Sequence, residues 1–125
     1  MSSRIIYSLV ESPAHPKFSG LYQRLGFEEV RLSSSRKAMS ELKKTPPDFV
    51  VAEFFYGYGN NYAGINISNL DVFLHAQRRY APEAKVIVLV EKPERQYVDK
   101  LMELFSIHEV LVYPVAEKQM EAALG

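Results

Sequence analysis

The sequence predicts an α/β protein in which helices cover both faces of a five-stranded parallel sheet, a three-layer α/β/α sandwich. Five short apolar segments alternate with five amphipathic segments along 125 residues. The first, third and fourth segments are apolar on both faces, which is typical of strands buried between two helical layers. The length suits a single core. We therefore expect one domain spanning residues 1–125.

The expected strands are the five apolar segments, of which the second is the weakest. They are RIIYSLV (4–10), FEEVRL (27–32), DFVVAEFF (48–55), KVIVLVE (85–91) and EVLVYPV (109–115). Because parallel strands are joined by right-handed crossovers, few topologies remain. The carboxyl ends of the strands then form the edge at which such sheets carry their sites. Glu53 lies at that end of the third strand.

Helical periodicity predicts the segments between the strands. The first helix has Phe18, Leu21, Tyr22 and Leu25 on one face and ends at Gly26, a residue that tolerates positive φ. In the second, serines cap a helix that the TPP segment ends. The inward residues predicted for it are Ala38, Met39 and Leu42.

The remaining three helices follow the third, fourth and fifth strands. Ser68 is expected to cap the third helix. Residues 94–105 form the fourth and residues 117–124 the fifth. The inward residues predicted for the third and fourth helices are Leu70, Phe73, Leu74, Tyr97, Leu101, Leu104 and Phe105.

Composition excludes several classes of function. Fifteen basic and fifteen acidic residues cancel, so we expect neither nucleic acid nor a membrane surface as partner. We interpret Arg36, Lys37, Lys43 and Lys44 as a solvated helix face. The absence of cysteine excludes thiolate chemistry and Cys-ligated zinc. With neither a signal peptide nor a membrane span in the sequence, we expect a cytoplasmic protein.

Metal and cofactor motifs are also missing from the sequence. The three histidines, at positions 15, 75 and 108, lack the i, i+4 spacing of a helical metal site. Neither GxGxxG nor GxxxxGK[ST] occurs, which argues against a dinucleotide or a P-loop nucleotide. We therefore predict no metal and no cofactor.

Three segments together resemble the receiver domain, the phospho-acceptor module of two-component response regulators. They are PPDFVVAEF, RRYAPEAKVIVLV and VLVYPV, and the resemblance extends over about residues 4–124. It implies the flavodoxin-like (CheY-like) strand order 2-1-3-4-5. It also implies that Pro114 follows a peptide bond that is usually cis in the family.

The chemical residues of the family are replaced in this sequence. By the resemblance, the magnesium-binding acidic pair falls at Leu9 and Val10, with Glu11 next along. The phospho-accepting aspartate falls at Glu53, the switch hydroxyl at Val90 and the lysine at Tyr113. Phosphoryl transfer needs a metal and a cation to neutralise developing charge. The resemblance therefore points to a degenerate receiver, or pseudo-receiver.

Glu53 has two interpretations. It could supply a permanent negative charge where a phosphoryl group would sit, or be a strand-end carboxylate that is solvated or pairs with a nearby Lys or Arg. A partly buried Glu53 without a partner should have a raised pKa. His15 is expected to be a polar residue beside the cleft, and Ser8 and Ser12 lie near Glu11 without the order of a catalytic triad.

The segment YGYGNNYAG contributes Tyr56, Tyr58 and Tyr62, either as a recognition loop or as a lid over the vacated pocket. The leading hypothesis is a stand-alone, phosphorylation-independent interaction module in bacterial-type signalling, and not an enzyme. It would dock a kinase, a regulator or a second copy as a homodimer. The expected interaction face contains Tyr97, Lys100, Tyr113, Lys118 and Met120.

Two alternatives stay open. One is a flavodoxin-like enzyme or small-molecule binder that uses the tyrosine-rich loop as a pocket wall. The other is an active receiver with Glu53 or a serine as an unconventional acceptor.

Overall fold

The computed structural model describes residues 4–56 and 68–125. Its strands are β1 (Arg4–Leu9), β2 (Phe27–Leu32), β3 (Phe49–Glu53), β4 (Lys85–Val90) and β5 (Glu109–Val112). Its helices are α1 (Ser19–Arg24), α2 (Ser35–Lys44), α3 (Asp71–Tyr80), α4 (Arg95–Leu104) and α5 (Glu117–Leu124). A single 3-10 turn, Lys92–Glu94, precedes α4.

The five strands form one sheet of order β2-β1-β3-β4-β5, and every neighbouring pair is parallel. This confirms the predicted architecture and strand order. Alternate residues of β3 point to opposite faces of the sheet. Val50 and Ala52 pack with α2, α3 and α4, while Phe49 and Val51 pack with α1 and α5. The core is therefore split by the sheet into two apolar layers.

Gly26 ends the first helical segment as predicted, with φ of 86°, a conformation that favours glycine. Ser34 caps α2 by accepting a hydrogen bond from the backbone N–H of Lys37 at 3.2 Å. Ser68 was expected to cap α3, but the helix begins three residues later, at Asp71. The Oδ1 of Asp71 instead accepts hydrogen bonds from the backbone N–H and hydroxyl of Ser68, at 2.7 Å and 2.9 Å.

The buried face of α4 differs from the prediction. Leu104 was expected to point inward but is 55% exposed, and Leu25 after α1 is also exposed. The inward face of α4 consists of Val98 and Leu101, followed by Phe105 just after the helix. Leu104 ends the helix and lies to one side of that face, so the sheet does not cover it. Within the described residues, no helix is long and apolar enough to cross a membrane.

Candidate functional site

Glu53 is the last residue of β3, and its carboxylate is buried at the carboxyl edge of the sheet. In register it lies opposite Leu89 of β4, and the residue is only 1% exposed. A buried carboxylate without partners would be strongly unfavourable. The hydrogen-bond donors around Glu53 therefore determine its charge and its chemistry.

Both carboxylate oxygens of Glu53 accept hydrogen bonds from groups of the same chain. The backbone N–H groups of Glu11 and Ser12 donate to Oε2, at 2.7 Å and 3.1 Å. The Nδ1 of His15 lies 3.3 Å from the same oxygen. The Ser12 hydroxyl donates to Oε1, and the Tyr113 hydroxyl lies 3.3 Å from that oxygen. The loop between β1 and α1 thus closes over the carboxylate and binds it.

These contacts determine the protonation state of Glu53. Burial by itself raises the pKa of the carboxyl, but hydrogen bonds from His15, Ser12 and the backbone of Glu11 outweigh burial and hold the pKa below its ordinary value. The same charge acts on Tyr113. Burial, the negative charge of Glu53 and the hydrogen bond to it all raise the pKa of the Tyr113 hydroxyl. At neutral pH the site is a carboxylate anion beside a neutral phenol.

His15 is the most enclosed of the donors to Glu53, with 6% of its surface exposed. Because ionised Glu53 can only accept hydrogen bonds, the Nδ1 of His15 must carry the proton between them. The opposite ring nitrogen, Nε2, is buried and has no hydrogen-bond partner among the described residues. The sequence predicted only that His15 is a polar residue beside the cleft. In the structure it contacts the Glu53 carboxylate directly.

Asn69 connects three parts of the site and was not recognised in the sequence. Its Nδ2 donates to the carbonyl of Glu53 at 2.8 Å and to Oε1 of Glu11 at 3.0 Å. Its Oδ1 accepts from the backbone N–H of Phe55 at 2.7 Å. Its position just before α3 was the available signal, since asparagine commonly bonds backbone groups at helix starts and turns.

Opposing effects act on the pKa of the Glu11 carboxyl group. Burial raises the pKa of its carboxyl, the hydrogen bond from Asn69 lowers it, and the nearby charge of Glu53 raises it, with a net upward shift. Two carboxylates close together normally repel or share a cation. Here Asn69 supplies a neutral donor to Glu11, and the loop supplies the donors to Glu53.

The other predicted pocket residues are apolar walls. Leu9 and Val90 are fully buried in the core layer that contains α2, α3 and α4. Val10 is partly exposed, and its N–H donates to the carbonyl of Leu32 at 2.8 Å. Pro114 is exposed and follows a cis peptide bond, as the resemblance implied. Glu53, Glu11 and Tyr113 come together, whereas Leu9 and Val90 contribute no polar group.

These residues do not fit the magnesium ion that receiver chemistry uses. Magnesium needs several oxygen ligands in octahedral geometry. Leu9 and Val10 have no side-chain oxygen, and the oxygens of Glu53 already accept several hydrogen bonds. In residues 4–56 and 68–125, no group of three or more His, Asp or Glu side chains is placed to hold a metal ion.

The structure corrects one sequence-based interpretation of Glu53. The carboxylate was expected to be solvated or to pair with Lys or Arg. It is buried, and its partners are two hydroxyls, two backbone N–H groups and His15. The reason is geometric, because the β1–α1 loop folds inward and brings its own donors to the strand end.

A second correction concerns the predicted interaction face. Met120 is fully buried and packs with α1 and the sheet, so it cannot contact a partner. It lies on the inward face of α5, which a short amphipathic helix must bury. Lys100 and Lys118 are exposed, and Tyr97 is partly exposed. Tyr113 is partly buried, with its hydroxyl directed to Glu53.

Tyr56 is the described residue of the predicted recognition loop. Its ring stacks on that of Tyr97 in α4, with centroids 3.7 Å apart and planes at 13°. Its N–H donates to Oε1 of Glu94 at 3.1 Å, and it forms an isolated bridge with Ser68. Tyr58 and Tyr62 lie outside the described residues. The contacts of Tyr56 join the end of β3 to the start of α4.

No family model and no curated protein matches the sequence. Solved structures do match over nearly the whole chain. A response regulator receiver domain protein from Clostridium thermocellum gives a TM-score of 0.72 at 19% identity, covering 98% of this chain and 91% of that one. The receiver domain protein (CheY-like) from Methanospirillum hungatei JF-1 gives 0.74 at 9%, covering 98% and 91%. The chain has the receiver-domain fold.

A third match is described as a redox sensor of the streptococci that evolved from two-component response regulators. Its TM-score is 0.73 at 17% identity, and the match covers 97% of this chain but 49% of that one. This chain therefore spans about half the length of that protein. At these identities the likeness concerns the receiver fold, while the residues at its carboxyl edge are those of this chain.

Proposed function

We propose that this chain is a regulatory module with a receiver fold that acts through protein–protein contacts and does not accept a phosphoryl group. The observation that carries the proposal is the set of hydrogen bonds to Glu53. An acceptor carboxylate needs an accessible oxygen in line with the leaving group. Both oxygens of Glu53 are instead held by the β1–α1 loop and Tyr113.

Three further features support a non-phosphorylated module. The apolar residues Leu9 and Val10 provide no ligand for magnesium, and the buried Val90 provides no hydroxyl for a phosphoryl oxygen. Tyr113 replaces a cation with a neutral donor. Without metal and cation, the charge that develops in phosphoryl transfer has nothing to stabilise it.

The partner in this proposal is another signalling protein, a kinase or a regulator, or a second copy of the chain. The receiver fold itself favours a role in signal transduction, and one structural neighbour is described as a sensor that evolved from response regulators. Lys100, Lys118 and the exposed part of Tyr97 remain the candidate contact residues. The module would work in the cytoplasm.

Incubation with acetyl phosphate and Mg²⁺, followed by intact-mass measurement, tests the proposal. We expect no gain of a phosphoryl group in the wild type, because Glu53 is enclosed and no group of three or more metal-ligating side chains occurs among the described residues. A conventional receiver domain in the same reaction is the positive control. A mass gain that disappears in Glu53→Gln would establish the alternative, an active receiver with Glu53 as acceptor.

A further inference from the structure

A cationic cavity, open to solvent, lies beside the β2–α2 connection, and no side chain that bonds the Glu53 carboxylate lines it. Its volume is about 280 Å³, and its lining consists of Val10, Arg31, Leu32, Ser33 and Lys37. The hydrogen bond between the N–H of Val10 and the carbonyl of Leu32 joins its two apolar walls. The cavity is therefore built on the ends of two adjacent strands of the sheet, not on a loop alone.

The two cationic side chains of this cavity, Arg31 and Lys37, are exposed to solvent. No carboxylate lines it. In the part of the chain that the structure describes, the ion pairs involve His15, Arg24 and Arg95, and neither Arg31 nor Lys37 takes part in one. The Nζ of Lys37 donates a hydrogen bond to the hydroxyl of Ser33, at 3.2 Å. Two cations that share a cavity repel each other unless an anion lies between them.

A second, larger cavity of about 560 Å³ continues along α2 and shares Leu32 and Lys37 with the first. It adds Arg36 and Lys44, with Glu41 as the carboxylate in its lining. The cations outnumber that carboxylate, so the positive potential extends along the helix. Three of the four charges interpreted from the sequence as a solvated face thus line a concave surface.

We propose that the cavity lined by Arg31, Ser33 and Lys37 binds the phosphate group of a small molecule. A guanidinium, an ammonium and a hydroxyl provide donors of three kinds, and a phosphate has several oxygens to receive them. The cavity is open to solvent and Arg31, Ser33 and Lys37 are exposed, so a phosphate group can reach all three side chains. The larger neighbouring cavity leaves space for the remainder of the ligand.

Calorimetric titration with inorganic pyrophosphate and with ADP, at low salt, tests this site. We expect saturable binding that weakens about tenfold or more in Arg31→Gln and in Lys37→Gln, since each loses a charge-assisted hydrogen bond. Tighter binding of ADP would identify the ligand as a nucleotide, and equal binding would identify the diphosphate group itself.

Lys43→Gln is the matched control. Lys43 lies on the same helix, but its Nζ contacts the ring of Tyr80 and it lines neither cavity. We expect the Lys43→Gln variant to bind within about twofold of the wild-type affinity, because Lys43 lines neither cavity and donates no hydrogen bond to a ligand there. The proposal is wrong if neither ligand binds, if Arg31→Gln and Lys37→Gln bind as the wild type does, or if Lys43→Gln loses as much affinity as they do. None of these results bears on phosphoryl transfer to Glu53.

Discussion

At the scale of single residues, Glu53 is a buried carboxylate that accepts hydrogen bonds from groups of its own chain. The carboxylate stands at the end of the central strand β3. The backbone of Glu11 and the side chains of Ser12, His15 and Tyr113 satisfy it. An anion bound this way stabilises the native state and fixes the β1–α1 loop. It is poorly suited to act as a nucleophile.

Glu53→Gln tests the contribution of this anion to stability. The amide places an NH₂ group among groups that are themselves donors, so some of them lose their acceptor. We expect the free energy of unfolding at pH 7 to fall by about 1–3 kcal/mol. Chemical denaturation of the variant and of Glu83→Gln measures this. Glu83 is exposed, so its variant should stay within about 0.5 kcal/mol of the wild type.

Comparison of the wild type with Glu53→Gln also gives a prediction for how stability depends on pH. Because the pKa of Glu53 is lowered in the native state, its contribution is present above the ordinary pKa of 4.5 and is lost as pH falls through the lower native value. The difference in free energy of unfolding between the wild type and Glu53→Gln should therefore narrow below about pH 4.5. The contribution of Glu11 to the pH dependence of stability has the opposite sign, since its pKa is raised. If this difference in free energy of unfolding stays constant to low pH, Glu53 is not a stabilising anion.

At the scale of secondary structure, the elements follow from their apolar patterns. The segments FEEVRL and 117–124 have the predicted bounds, as β2 and α5. The strands β1, β3, β4 and β5 are each shorter than predicted by one to three residues, although Val10, Phe54 and Tyr113 just beyond their ends still donate backbone hydrogen bonds to a neighbouring strand. Leu104 shows the limit of periodicity, since a leucine at the edge of a helical face is buried only if a neighbour covers it.

A neighbouring pair on α3 tests which face of the helix carries the core. Phe73 is fully buried, whereas Val72 beside it is 52% exposed. Phe73→Ala should lower the free energy of unfolding by about 3–5 kcal/mol, the usual cost of emptying a phenylalanine site in a core. Val72→Ala should change it by less than about 0.5 kcal/mol. Equal losses in thermal or chemical denaturation would contradict the packing of α3.

The position of Glu53 could be predicted from the sequence, but its partners could not. A buried strand places its last residue at the sheet edge whatever follows. The inward course of the β1–α1 loop depends on backbone conformations around Pro13 and Pro16 that no periodicity specifies. Ser12, His15 and Asn69 are distant from Glu53 in sequence or separated from it by a loop, so only the folded chain shows that they meet.

At the scale of the whole molecule, the chain has the receiver fold, and Leu9 and Val90 at the carboxyl edge of its sheet belong to the apolar core. The strand order, the two core layers and the cis peptide bond before Pro114 are those expected for the receiver fold. The fold depends on apolar burial in two layers, which Leu9 and Val90 increase. The polar contacts of Glu53 lie at one edge of the sheet. The fold and the contacts of Glu53 therefore depend on largely different residues.

The central claim is that Glu53 is a buried anion held by hydrogen bonds from its own chain. Carbon-detected NMR titration of the Glu53 side-chain carboxyl tests it most directly. We predict a midpoint below the ordinary value of 4.5, which moves upward in Ser12→Ala and in His15→Gln as donors are removed. A wild-type midpoint at or above 4.5, unchanged in both variants, would contradict the account.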